Sequence, residues 1–206
     1  MATCVGSNYN VQYLTGRPFT GGTIGYDINQ VAAAYGINPA TLATISSLET
    51  GSLTGPDVNN DSYGCNPCNA AGAGATQIGQ NMFDAWNASQ GGGNTFCSSI
   101  CGAPGSLTLR NNLDICAQYL KAAFDLATSQ GGYNDVQKMA AAATSWNGFV
   151  CAGNPNGYFY PFPGQYGYGL PGTSQMSDYG STAGYLYQNS GLEGGGVYDT
   201  SQLLPQ

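Results

Sequence analysis

Histidine is absent from all 206 residues, which excludes Ser-His-Asp and Cys-His nucleophilic sites and the usual His-ligated catalytic zinc centres. Charge is also scarce. Charged side chains make up 7% of the chain, the cations are Arg17, Arg110, Lys121 and Lys138, and the formal net charge is -7. Four scattered cations build no basic face, so nucleic acid and anionic lipid are excluded as partners held by charge. No apolar run approaches the roughly 18 residues of a membrane span. Residues Met1 to Ser7 lack the cationic start and apolar segment of a signal peptide, so any export is expected by another route or from a leader encoded upstream. What remains for chemistry is carboxylates, hydroxyls, amides and thiols. Only two glutamates occur, Glu49 and Glu193.

Hydrophobic residues nevertheless reach 42% and aromatics 12%, a composition that folds and that suffices for one well-cored domain with a small appendage. Its most informative stretch runs from Gly36 to Gly51. Asn38 suits an N-cap, Pro39 a first helical position and Gly51 a left-handed terminus, so both ends of a helix are written there. Leu42, Ile45 and Leu48 form its apolar stripe. Glu49 lies on the flank of that stripe, four residues after Ile45. A carboxylate drawn partly out of water, with no Lys or Arg nearby in sequence, has its pKa raised, as a general acid near neutral pH requires. The plainer reading is a solvated helix-end residue.

The rest of the chain falls into an irregular, Gly/Thr-rich arm over residues 1–26, a helical region over 27–150, and a Gly/Tyr/Pro-rich extension over 151–206. Within the helical region Asp27 is expected to cap a helix ending at Gly36. Ile78, Met82 and Trp86 mark a third helix, after that of Glu49, closed by Gly91-Gly92-Gly93. The longest helix is expected from Ser106 to Gly131, and a further one, capped by Asn134, ends at Trp146-Asn147-Gly148. Long loops separate them. The extension carries no helical or strand period, and reads either as an extended tail or as an aromatic surface for glycan stacking or docking.

Seven cysteines (Cys4, Cys65, Cys68, Cys97, Cys101, Cys116 and Cys151) permit three disulfides with one thiol left over. Cys65-x2-Cys68 and Cys97-x3-Cys101 also have spacing suited to a four-thiolate zinc site. Disulfide staples in the Gly/Asn/Pro-rich loops are the leading expectation, with at least two drawn from the six cysteines after Cys4, and zinc or free thiols as alternatives.

Taken together, the motifs resemble the lytic transglycosylase family related to goose-type lysozyme. Its Glu-Ser-Gly motif looks like Glu49-Thr50-Gly51, and its Gly-Leu-Met-Gln motif looks like Gly74-Ala75-Thr76-Gln77. Its Asn-Ile...Tyr-Leu helix is similar to the segment from Asn112 to Leu120 that contains Tyr119. Its Ala-Tyr-Asn-Ala/Gly motif looks like Ser145-Trp146-Asn147-Gly148. The resemblance covers about residues 27–148. It departs where Ala75 and Thr76 replace larger apolar groove residues and where Trp146 replaces the tyrosine facing the acid.

The resemblance implies a mainly α, lysozyme-like fold with disulfide-stapled loops, and a cut at the β-1,4 bond between N-acetylmuramic acid and N-acetylglucosamine. Glu49 would protonate the linking oxygen and then act as base on the muramic 6-hydroxyl, consuming no water. Thr50, Gln77, Tyr119, Trp146 and Asn147 would bind the glycan, with no cofactor and no metal. A hydrolytic muramidase is the alternative. It needs a second carboxylate roughly 5 to 9.5 Å away, for which Asp57 and Asp61 are the candidates. The reading from another class is a structural or glycan-binding component of a particle. Peptidoglycan as partner sets the chain outside the cytoplasmic membrane, as a virion-associated, periplasmic or secreted protein. The extension would then dock to other virion or secretion-apparatus proteins.

Overall fold

The computed structural model describes residues 23–50, 63–65, 72–96, 107–147 and 178–188, and these residues are mainly helical. Among the described residues six helices follow one another: α1 (Thr23–Tyr35), α2 (Pro39–Thr50), α3 (Gln80–Ser89), α4 (Leu109–Gln130), α5 (Asp135–Trp146) and α6 (Asp178–Gln188). The only β pairing among the described residues is one isolated antiparallel bridge between Ala73 and Ile78.

The start of α2 is set as its sequence dictates. Asn38 Oδ1 accepts the backbone N–H of Ala40 at 2.9 Å, and Pro39, which has no N–H to satisfy, follows the cap. Gly36, at φ +62, makes the left-handed corner between α1 and α2. Asp27 does not cap α1. The helix begins four residues earlier because Ile24 is buried in line with Ile28, Val31 and Ala32, and that apolar stripe carries the helical turn upstream. Similarly, α4 starts later than Ser106, which lies outside the described residues. Thr108 caps α4 instead, accepting Asn111 N–H at 3.1 Å beside the first buried leucine, Leu109. Asn134 forms a reciprocal capping box with Gln137, each bond 2.9 Å long.

Helix α4 is the central strut. Leu113, Cys116, Leu120, Ala123 and Ala127 are all fully buried, and α1, α2, α3 and α5 pack around it. A polar link ties three of these helices together on its other side. Asp114 accepts from Tyr35 Oη at 2.7 Å and from Trp86 Nε1 at 2.8 Å, joining α1 and α3 to α4. Burial and this carboxylate push the Tyr35 phenol up to about 12.

Helix α6 corrects the expectation of irregular structure for residues 178–188, while the rest of the 151–206 extension lies outside the described residues. Tyr179, Ala183 and Leu186 are buried along one face of α6, which runs against α5 and also touches α2. Glycines make the close approach to α5 possible. A Cβ on Gly180 would overlap the Thr144 hydroxyl and the Ala140 carbonyl, while Gly184 sits over Val136 and Ala140. The division at residue 150 therefore separates a helix from the core it packs on. No described helix is long and apolar enough to cross a membrane.

Candidate functional site

Glu49 is the penultimate residue of α2, and the described groups that bond its side chain come from the other end of the sequence. Tyr179 Oη on α6 donates to Glu49 Oε1 at 2.6 Å. The Trp146 indole, at the last position of α5, also hydrogen-bonds to this carboxylate. Burial is the largest influence and pushes the carboxyl up from its ordinary 4.5 to about 7, while the bonds from Tyr179 and Trp146 pull in the opposite direction. A carboxyl in this state is divided between acid and base at neutral pH, so it can deliver a proton and take one back.

Several residues linked to glycan binding by resemblance support the acid from behind. Tyr119 is only 1% exposed, meets the Trp146 ring edge-on with centroids 5.2 Å apart, and forms a short hydrogen bond with the Ser145 hydroxyl. Its contacts set Trp146 and leave it no open surface. Thr50 is buried too, with its hydroxyl against the carbonyls of Ser46 at 2.7 Å and Ala75 at 3.0 Å, which pins the acid's end of α2 to the turn over residues 72–78. Ala75 and Thr76 have no exposed surface, so they pack under the turn and line no groove.

Gln77 and Asn147 remain accessible. Gln77 is partly exposed and holds φ +53, in the left-handed region that favours glycine, with Nε2 donating to Gly74 O at 2.9 Å. Asn147 is exposed and caps the C-terminus of α5, next to Trp146. Asp57 and Asp61 lie outside the described residues.

The cysteine expectations divide. Cys65 is disulfide-bonded, and Cys116 is free and buried, so Cys116 leaves the pool of staples and the partner of Cys65 lies outside the described residues. Bonding to another cysteine also removes Cys65 from any four-thiolate zinc site. Burial, with the nearby Glu49 adding to it, pushes the Cys116 thiol upward, so it is a small core residue behind the acid.

Two residues gained importance that sequence reasoning did not give them. Tyr179 was hidden in the extension, although Tyr179, Ala183 and Leu186 do follow a helical period. Asn112, which in the sequence is only one member of a motif, is fully buried and uses its whole amide on the segments beside the acid.

The described residues thus define a class: a helical domain in which burial raises the carboxyl of Glu49, held between a phenol and an indole. No protein-family model, curated protein or solved structure matches the chain.

Proposed function

We propose that this protein is a lysozyme-like lytic transglycosylase that cuts peptidoglycan at the bond between N-acetylmuramic acid and N-acetylglucosamine, with Glu49 as general acid and then general base. The observation that carries this reading is the Glu49 carboxyl itself, raised to about 7 by burial while two neutral donors, Tyr179 and Trp146, fix its orientation. Such a group is half protonated near neutral pH and serves both steps without a partner carboxylate. None of the other described carboxylates acts on it. The runner-up, hydrolysis, would draw its second carboxylate from Asp57 or Asp61. The disulfide at Cys65 is compatible with the oxidising, extracytoplasmic setting that this substrate requires.

Incubation of purified peptidoglycan with the protein, followed by mass spectrometry of the released fragments, tests the proposal. Fragments with 1,6-anhydromuramic ends are expected, together with their loss in Glu49→Gln, a change that keeps shape but removes the transferable proton. Reducing ends would assign hydrolysis. Release of nothing by the unaltered protein would overturn the enzyme reading and leave a structural or glycan-binding component.

A further inference from the structure

We propose that Asn112 is a positioning residue for Glu49, acting through the turn over residues 72–78 and Thr50; this rests on the reading of Glu49 as the acid. Asn112 projects from the first turns of α4 and is fully buried, with its whole hydrogen-bonding capacity spent on two loops. Nδ2 donates to Gly64 O at 3.2 Å and to Ala73 O at 2.9 Å, while Oδ1 accepts from Thr76 N at 3.0 Å and Thr76 Oγ1 at 2.7 Å. Two acceptors on one side and two donors on the other leave the amide a single orientation.

Around this side chain the turn is closed on itself. Ala73 and Ile78 exchange backbone bonds of 3.0 and 2.8 Å, and Ala75 N–H reaches Tyr63 O at 2.8 Å. Gly74, at φ +76, brings its backbone so close to Asn112 Nδ2 and to the Tyr63 and Gly64 carbonyls that any Cβ would collide with them. The far side of the turn then receives α2, because the Ala75 carbonyl accepts the Thr50 hydroxyl at 3.0 Å, one residue after Glu49. Asn112 therefore reaches the acid's helix through one turn and one hydroxyl.

The same face of α4 packs behind the acid. Cys116, one helical turn beyond Asn112, is fully buried, hydrogen-bonded with Thr76 and electrostatically coupled to Glu49. The titratable groups facing Glu49 from the described elements are Cys116 on α4 and Tyr179 on α6, with neutral Trp146 on α5 and no cation. Nothing in this set holds the carboxyl protonated by charge, so burial does so, and the turn that Asn112 locks is fastened to α2 one residue from the acid, at Thr50. When the lock is broken, the turn lifts from α2 and water reaches the acid.

The chain contains only Glu49 and Glu193 as glutamates, so 13C-labelling of glutamate gives two side-chain carboxyl signals, and Glu49→Gln tells which is which. Titration of the full chain is compared in the unaltered protein, Asn112→Ser and Thr50→Val. The Val variant preserves shape and removes the hydroxyl's bonds to Ala75 across the turn and to Ser46 within α2. In both variants the Glu49 midpoint is expected to fall by about one unit, and the alkaline limb of the activity profile to move with it, leaving about five-fold less activity at pH 7. A lower melting temperature with an unmoved Glu49 midpoint would reduce Asn112 to a purely structural role and overturn the proposal. Should Asn112→Ser fail to fold, the Thr50→Val midpoint decides alone. A midpoint that moves in a protein that cleaves nothing would retain the positioning role and remove the transglycosylase reading instead.

Discussion

At the scale of single residues, Glu49 makes stability depend on pH in a direction opposite to most carboxylates. Its folded pKa, about 7, lies above the ordinary 4.5, so the native state binds the proton more tightly than the unfolded chain does. The associated stability is fully present below pH 4.5 and is lost as pH rises through 7. Glu49→Gln carries no such titration. Denaturant unfolding is therefore expected to show the unaltered protein losing stability between pH 4.5 and 7.5, and Glu49→Gln losing less and exceeding it at pH 8. Equal slopes for the two proteins would mean that Glu49 is not held out of water. Here the sequence was legible: an apolar stripe, Asn38 and Pro39 at one end and a lone glutamate at the other announce a half-buried acid. Of its two hydrogen-bond partners, Trp146 stands in a motif the sequence displays, whereas Tyr179 was not legible, because it lies 130 positions away and no local period connects it to Glu49.

Among the helices, α6 carries the clearest lesson about legibility. Asn134 and Gly131 mark helix ends by local chemistry that is visible in the sequence. A segment such as Tyr179-Gly180-Ser181-Thr182-Ala183-Gly184 has poor intrinsic helix propensity, and its two glycines read as breakers. They serve the opposite purpose. Without Cβ atoms at Gly180 and Gly184 the backbone of α6 comes close to α5, and tertiary packing overrides propensity. The two positions should respond differently to alanine. Each gains about 0.5–1 kcal/mol from helix propensity. At Gly180 the overlap with the Ala140 backbone costs about 1–3 kcal/mol, so the change is expected to lower the melting temperature. At Gly184 the new atom would sit 3.2–3.3 Å from Val136 and Ala140, close enough to be accommodated by small shifts, so the change is expected to be neutral or slightly stabilising. Calorimetry of both variants checks the contrast; equal effects would mean that the seam between α5 and α6 is looser than described.

At the scale of the whole molecule, the described loop segments 63–65 and 72–78 answer to the core through a short chain of covalent and polar links. Cys65 ends the short turn of residues 63–65, and that turn holds the 72–78 turn through Ala75 N–H and the Asn112 amide. Its disulfide should contribute about 2–4 kcal/mol. Reduction by a dithiol is expected to lower the melting temperature and to speed amide hydrogen exchange at Ala75 and Thr76, while exchange in the middle of α4 stays slow. Unchanged exchange at those two amides would show that the turn holds without the disulfide. The composition gave the possibility of such staples but not their pairing, because spacing carries no information about which loops meet in space.

The distance in sequence between the acid and its phenol also orders events in time. Glu49 leaves the ribosome 130 residues ahead of Tyr179, so throughout most of synthesis the carboxyl exists without the donor that α6 brings to it. A nascent or prematurely terminated chain that stops before α6 bears the acid without that donor, and only a chain translated through α6 can assemble the site in full.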